Sequence, residues 1–298
     1  MRLLRMISLA AMIAGVLGSS PFLASAEAAE TTRIVLVAGR PSHGPGDHEF
    51  NAGCKLLARQ LARIPGVDPV YVPGGWPKDE AVFDDAKAVI FFMDGGDRHP
   101  MIQGDHLEKL QKLMDRGVGL GCLHYAVEVP KGKPGNKFLD WIGGYYETGF
   151  STNPHWTADI KSLPKHPITN GVAPFAVKDE WYYNIRFRPD KTGMTPLIVA
   201  TPDKETRKGA TASPRGPYKH IVANEGREEV LSWAVERPDG GRGFGFTGGH
   251  KHTNWGDPNF RKFVLNAIVW LAKRDVPSQG IDSHVTEAEL KQNLDPKK

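Results

Sequence analysis

Residues 117–126, GVGLGCLHYA, combine three glycines with an apolar run that contains Cys122 and His124. Such a run predicts a buried strand that ends in a sharp turn, where many α/β enzymes hold a nucleophile. The residues two before and two after the tip of that turn must be small. Cys122 has the bulky flanks Leu120 and His124, whereas His124 has the small flanks Cys122 and Ala126. The sequence therefore predicts His124 at the tip and an unreactive, buried thiol at Cys122.

Strands and helices alternate on both sides of this stretch. Upstream, RIVLVAG (33–39) and AVIFFMD (88–94) are apolar runs typical of strands buried on both faces, with a helix predicted near 105–116 between the second run and residue 117. Downstream, EVLSWAVER and GRGFGFTGG flank Pro-Asp-Gly-Gly, a hairpin signal, and Asp257-Pro258 opens a helix predicted at Phe260–Lys273. A looser section between them has one short helix, predicted around Phe138–Ile142. We predict an α/β fold with a doubly wound, mostly parallel sheet and helices on both faces.

The first 26 residues have the pattern of a cleavable signal peptide. Two arginines precede an apolar stretch at 6–17, and Ala24-Ser25-Ala26 is a small-residue cleavage site. The alternative is an uncleaved anchor. We expect a signal peptide at 1–26, one α/β domain at 27–276, and a polar tail with a short helix at 277–298. The mature protein is then periplasmic or secreted, with no membrane span.

The charge pattern limits the partners. Removal of Arg2 and Arg5 with the signal peptide takes the formal net charge from +4 to +2, and lysine and arginine are dispersed among acidic residues. Nucleic acid is therefore not expected as a partner. A homo-oligomer is compatible with the sequence. Cys54 and Cys122 are too few for a disulfide scaffold and leave one bridge between them as an alternative.

Most histidines follow the predicted strands at their carboxyl ends, the edge at which open parallel sheets bind ligands. Imidazoles and a carboxylate converging there suit a divalent metal such as zinc, or a metal-free acid/base site tuned near neutral pH. No HExxH pattern is present, and no nucleotide cofactor is expected. The candidate catalytic residues are His124 and Glu180. The candidate metal ligands are His124, His250 and His252, the last two because alternate residues of an extended segment face one side. The candidate substrate-binding residues are His43, His48, Glu49, His155, Trp181 and Trp255, with core packing as the alternative for the two tryptophans.

Several segments together resemble the ThuA-like (trehalose-utilisation) family over about residues 32–276. They are HGPGDHEF, GLGCLHYA, FLDWIGGYY, HPITNGV, DEWYY and GRGFGFTGGHKHTNWGDPNFRKFVLNAIVW. The resemblance implies a flavodoxin-like fold similar to class I glutamine amidotransferases, with a histidine where their catalytic cysteine lies. It also implies sugar metabolism alongside dehydrogenases that make 3-keto-glycosides. The matching positions are His43, His48, His124, Glu180, His250 and His252.

The leading hypothesis is an exported enzyme that acts on an oxidised (3-keto) glycoside or a related sugar by elimination, hydrolysis or isomerisation. It is then a lyase, hydrolase or isomerase, and not an amidotransferase. A ketone acidifies the adjacent C–H, so His124 or Glu180 can act as the base while other histidines, or a metal they hold, polarise the ketone. The alternatives are a non-catalytic carbohydrate-binding protein of the same fold and a thiol hydrolase that uses Cys122.

Overall fold

Strands and helices alternate along the residues that the computed structural model describes, 31–209 and 217–297. The strands in this part of the chain are β1 (Thr32–Ala38), β2 (Val67–Val72), β3 (Ala86–Phe92), β4 (Gly119–Leu123), β5 (Gly144–Tyr145), β6 (Trp156–Ile160), β7 (Phe175–Asp179), β8 (Arg186–Phe187), β9 (Met194–Ala200), β10 (Glu229–Glu236) and β11 (Arg242–Phe246). Its α-helices are α1 (Phe50–Leu61), α2 (His106–Asp115), α3 (Lys133–Ile142), α4 (Lys204–Lys208), α5 (Lys219–Val222), α6 (Pro258–Leu271) and α7 (Glu287–Leu290). The signal peptide expected at 1–26 lies outside these residues. Within them, every helix is too short or too polar to cross a bilayer.

The central sheet has seven strands in the order β2-β1-β3-β4-β11-β10-β9. The first five in this order are parallel, and β10 pairs antiparallel with both β11 and β9. The predicted doubly wound, mostly parallel fold and the late hairpin are confirmed. The chain winds from β1 to β2 on one side and from β3 to β4 on the other, so the winding changes direction between β1 and β3.

Apolar side chains of the central strands alternate between the two faces of the sheet. In β1, Ile34 and Leu36 join one buried cluster, whereas Val35 and Val37 join the other. Helices α1 and α6 cover the first face with residues such as Phe50 and Leu57 of α1, and α2 and α3 cover the second. Helices therefore lie on both faces, as predicted.

Cys54 and Cys122 lie on opposite faces of this sheet. Cys54 belongs to α1 and its buried cluster, whereas Cys122 points from β4 into the other cluster, and both thiols are free and fully buried. A bridge would have to pass through the sheet, which disulfide geometry does not allow. Burial raises the pKa of both thiols well above its usual range. The thiolate that a cysteine nucleophile requires is therefore disfavoured.

The start of one helix differs from the predicted one, whereas the Asp257-Pro258 start of another is present. Helix α3 begins at Lys133 rather than near Phe138, because Pro134 falls in the first turn, where no intrahelical N–H is needed. Helix α6 begins at Pro258, and the Asp257 side chain accepts hydrogen bonds from the first free N–H groups. A capping box between Thr286 and Glu289 begins the short helix of the tail.

Candidate metal centre

His124 lies at the tip of the turn that follows β4, in agreement with the sizes of its neighbours. Its φ is +54°, a left-handed conformation that non-glycine residues rarely adopt. Cys122 remains inside the strand, and Ala126 is fully buried behind the turn. The turn therefore projects an imidazole, not a thiol, from the carboxyl edge of the sheet.

The loop after β1 carries His48 into the same space. The His48 backbone N–H donates a hydrogen bond to the carbonyl of His250 (2.9 Å), which joins this loop to the segment after β11. The φ of His48 is +50°, and that of His43 in the same loop is +60°. Left-handed conformations of non-glycine residues cost on the order of 1–3 kcal/mol each and concentrate at functional sites. With His124, three histidines at this edge have such strain.

Asp179, the last residue of β7, shapes the segment that carries His250. Its fully buried carboxylate accepts hydrogen bonds from the backbone N–H groups of Gly249 (2.7 Å) and Lys251 (3.1 Å). Gly249 has a φ of +113°, which a side chain would strain. The next residue after Asp179 is Glu180, so one strand end fixes the His250 backbone and also supplies a carboxylate.

Three imidazoles and one carboxylate converge at this edge. Nε2 of His48 lies 2.9 Å from Nδ1 of His250 and 3.1 Å from Nε2 of His124. Oε2 of Glu180 lies 3.1 Å from Nδ1 of His250 and 3.5 Å from Nε2 of His124. Ligand atoms of the four residues all lie within 4.8 Å of one another. We refer to these four residues as the histidine cluster.

Each imidazole of the cluster is held through its other ring nitrogen by an oxygen that accepts. Because carbonyl and ionised carboxylate oxygens cannot donate, these outer nitrogens carry protons, and a ring that is neutral directs a lone pair inward. Acceptors of this kind are the usual partners of metal-binding histidines. The pairs are His124 Nδ1 with the Thr247 carbonyl at 2.9 Å, His48 Nδ1 with Asp94 Oδ1 at 2.9 Å, and His250 Nε2 with Asp47 Oδ2 at 3.3 Å.

The converging lone pairs have the spacing of a metal site. Four acceptors that face one another repel unless a cation lies among them. Tetrahedral zinc, with bonds of about 2.0–2.1 Å to nitrogen and oxygen, places its ligand atoms about 3.3–3.5 Å apart. The contacts of 2.9–3.5 Å within the cluster lie close to that spacing. The donor set and its geometry therefore fit a divalent metal.

The pKa values of the cluster residues also indicate that the cluster requires a positive charge. Burial raises the pKa of Glu180, but hydrogen bonds with His124 and His250 outweigh burial and hold the pKa well below its usual range. Burial lowers the pKa of His250, but the hydrogen bond and the charge of Glu180 raise it above its usual value. Burial, with the neighbouring imidazoles, strongly lowers the pKa of His48. An ionised carboxylate thus faces the imidazoles and calls for a positive charge, which is a proton or a metal.

His43 and His155 lie at the mouth of the cluster. Their side chains are 44% and 45% exposed. The His43 ring packs on that of His48 with 3.6 Å between centroids, and His155 Nε2 lies 3.9 Å from Glu180 Oε1. The same carboxylate oxygen accepts a hydrogen bond from Asn153 Nδ2 (3.1 Å). Both histidines can therefore contact a molecule that enters.

His252 lies apart from the cluster, unlike the expected geometry. The extended segment ends at Lys251, and His252 begins a short 3₁₀ turn that extends to Gly256. Its side chain therefore does not align with that of His250, and its Nε2 donates to the carbonyl of Leu290 (2.9 Å). The structure gives no support for His252 as a third ligand beside His124 and His250; His48 and Glu180 take that place.

Three further candidates are buried away from the mouth. Glu49 accepts from the backbone N–H of Asp295 (2.7 Å) and pairs with Lys297 Nζ (3.2 Å), so it anchors the C-terminal tail. Trp181 and Trp255 are both 0% exposed. Both tryptophans therefore pack in the core, which was the alternative for them.

Sequence reasoning did not find the residues that orient the ligands. Asp94 follows β3 at the same edge, Asp47 precedes His48, and Tyr182, whose hydroxyl lies 3.2 Å from His124 Nε2, is two residues after Glu180. The signal was available, since every metal-binding imidazole needs an acceptor on its second nitrogen. A search of the strand ends for acidic residues would have selected Asp94.

Solved structures with similar folds support this architecture. A ThuA-like protein from Parabacteroides merdae ATCC 43184 is similar with a TM-score of 0.55 and 17% identity, over 87% of this chain and 94% of that one. A ThuA-like protein from Bacteroides uniformis ATCC 8492 has a TM-score of 0.56 and 12% identity, over 85% of this chain and 96% of that one. At these identities the likeness concerns the fold alone. No curated protein matches the sequence.

The family is shown by the sequence itself. The model of the ThuA family, described as trehalose utilisation, matches residues 77–271, which is more than half of the chain. The matched region contains β4 with its turn, Glu180 and His250, while His48 lies before it. The chain therefore belongs to the ThuA (trehalose utilisation) family.

Proposed function

We propose that this protein is a divalent-metal-dependent enzyme that acts on a carbohydrate. The observation that carries the proposal is the convergence of three inward lone pairs, from His48, His124 and His250, on the carboxylate of Glu180. The outer nitrogen of each ring has an acceptor, so the tautomers required for metal binding are already fixed. Zinc or a similar ion fits this donor set.

The imidazoles and the carboxylate of the cluster can have different chemical roles. His48, His124 and His250 would suffice to hold a catalytic zinc, which would supply an electrophile for a carbonyl or a hydroxyl of the sugar. Glu180 is ionised, is 14% exposed toward the mouth, and is oriented by Asn153, so it can accept a proton from the substrate. A base beside an electrophile suits elimination, isomerisation or hydrolysis of an oxidised (3-keto) glycoside. Family membership supports the choice of a sugar.

We further propose that the enzyme works outside the cytoplasm. The charged start, the apolar stretch and the Ala24-Ser25-Ala26 site support cleavage of a signal peptide and a periplasmic or secreted product. N-terminal sequencing of the mature protein tests this part: a start near Glu27 supports it, and retention of Met1 in a membrane fraction contradicts it.

Metal analysis of the protein, purified from its native host compartment without chelators, tests the central claim. We expect about one divalent ion per chain, loss of 3-keto-disaccharide turnover after chelation, and recovery on adding the ion back. A protein that has no metal and takes up none overturns the proposal. Stoichiometric metal with sugar binding but no turnover identifies a non-catalytic carbohydrate-binding protein instead.

A further inference from the structure

A pocket of about 460 Å³ opens beside the histidine cluster. It lies over the carboxyl ends of β1, β2 and β3, where the winding of the sheet changes direction, and such crevices are the usual ligand sites of doubly wound sheets. Its volume is within the range of small-molecule sites. The side chains that matter for binding are Arg40, Trp76, Asp94, Arg98, Gln103 and His106.

Glycine backbone forms part of the wall of this pocket. Gly39 follows β1, and a Cβ atom there would meet Met93 at 2.7 Å, so no side chain fits. Gly74 and Gly75 follow β2 with φ angles of +79° and +95°. These positions let a ligand approach the main chain closely. The concavity therefore depends on residues that cannot be enlarged without strain.

Arg40 and Arg98 outnumber the carboxylate of Asp94, so the side chains that line the pocket have a net positive charge. Both are exposed, and within the described part of the chain neither guanidinium has a hydrogen bond or an ion pair. The acidic side chain that lines the pocket, Asp94, is engaged by His48, and nearby Glu80 is paired with Lys109. Guanidinium groups bind carboxylate and phosphate through two parallel hydrogen bonds. Two such groups at one pocket favour an anionic ligand.

Acceptors in the same pocket suit sugar hydroxyls. Asp94 is 39% exposed, and one of its oxygens is bound to His48, which leaves the other for a ligand. His106 Nδ1 donates to the Pro100 carbonyl (2.6 Å), so its Nε2 is an acceptor. Trp76 stacks on the His106 ring with 4.0 Å between centroids, which fixes the orientation of that imidazole. The pocket thus combines anion donors with hydroxyl acceptors.

We infer that this pocket binds a saccharide unit that carries a carboxylate or a phosphate, and that the enzyme therefore prefers a keto-glycoside in which one unit is acidic. The inference rests on the proposed function, because Asp94 contacts His48 of the cluster on one side and lines the pocket on the other. A sugar held here has its neighbouring unit at the metal centre. Arg40 and Arg98 then determine specificity, while the histidine cluster performs the reaction.

Direct binding measurements test the inference without requiring turnover. Titration calorimetry compares glucuronic acid, glucose 6-phosphate and glucose on the wild type and on Arg40→Gln, Arg98→Gln and the double variant, with metal content measured in parallel. Lys165→Gln is the control, since it removes one exposed positive charge far from the pocket in sequence. We expect an acidic sugar to bind at least about 10-fold more tightly than glucose, and each arginine substitution to weaken it about 10-fold or more, with metal content unchanged.

The outcomes separate the two proposals. Preference for glucuronic acid assigns a carboxylate ligand, and preference for glucose 6-phosphate assigns a phosphate ligand. The inference is overturned if glucose binds as tightly as the acidic sugars, if none of the three sugars binds, or if the double variant keeps full affinity. In each of these cases, a wild type that still holds its metal leaves the proposed function intact. Arginine-dependent binding of an acidic sugar to a protein that takes up no metal overturns the proposed function and retains the pocket.

Discussion

Two neighbouring regions of the carboxyl edge use the same residue types in opposite ways. In the histidine cluster, the side chains direct lone pairs at one another and leave a positive charge to be supplied. In the tail contact, which comprises Glu49 and His252 with residues 290–297, donors face acceptors: Glu49 pairs with Lys297, and His252 Nε2 donates to the Leu290 carbonyl. The histidine cluster therefore requires a positive charge from solution, whereas the tail contact anchors the C-terminal tail to the domain.

The difference teaches that residue type alone does not distinguish a ligand from a structural group. Glu49 directly follows His48, His252 lies two residues after His250, and all four are buried. The cluster residues and the tail-contact residues differ in the kind of atom that their polar groups face. Acceptors facing acceptors indicate a cation site, whereas donors facing acceptors indicate packing.

The largest effect is expected from removal of a ligand in the histidine cluster. Loss of an oriented partner alone costs about 10–100-fold in metal affinity, so His48→Ala and His250→Ala should each exceed about 100-fold because a ligand itself is lost. Metal content after dialysis and turnover of a keto-disaccharide measure this. His252→Asn is the matched control and should keep wild-type metal. Equal loss in the control would erase the distinction between the two regions.

A smaller effect is expected from the acceptor behind His48. Asp94→Asn keeps the shape of the side chain but replaces the carboxylate that fixes the tautomer of His48, and we expect metal affinity to fall about 10–100-fold. Competition with a chromogenic chelator gives the affinity. Asp97→Asn removes an exposed carboxylate of the same segment and should leave the affinity unchanged. Wild-type affinity in Asp94→Asn would mean that the Asp94–His48 contact does not orient a ligand.

The sequence predicted the framework better than the site for a physical reason. Periodicity reports which faces are buried, so RIVLVAG, the helix near 105–116 and the elbow at His124 could all be placed from local pattern. The cluster depends on the path of the chain between strands. His252 was expected beside His250 because an extended segment was assumed, but the 3₁₀ turn after Lys251 reverses it. No local pattern indicated that Lys297, near the end of the chain, would neutralise Glu49.

The tail contact should respond in stability and not in metal binding. Glu49 and Lys297 are 1% and 4% exposed, and Glu49→Gln leaves the ammonium without its counter-charge. Because hydrogen bonds to charged groups contribute about 1.5–3 kcal/mol, we expect the free energy of unfolding to fall by about 2 kcal/mol, with metal content preserved. Urea denaturation measures the change, and Glu287→Gln on the exposed side of α7 is the control. If Glu49→Gln instead loses metal at unchanged stability, Glu49 belongs to the cluster.

Glu128 offers the smallest and most specific test, because it is a carboxyl at this edge that has no cationic partner among the residues that the structure describes. Burial, with the charges of Glu180 and Asp97, raises its pKa to about 7, and the hydrogen bond from Thr148 only partly opposes this. The folded state therefore holds a proton that the unfolded chain releases near pH 4.5, so this contribution to stability is present below that pH and is lost as pH rises toward 7.

Glu128→Gln is neutral at every pH and keeps the acceptor for Thr148. We expect it to unfold like the wild type near pH 4 and to be about 1–2 kcal/mol more stable at pH 8, a value below the full shift because the side chain is partly solvated. Urea denaturation of both proteins at each pH gives the difference, in which the titration of all other groups cancels. A difference that does not change between pH 4 and pH 8 would show that Glu128 is ionised throughout. A charge from solution or from the chain must then neutralise it, as Lys297 neutralises Glu49.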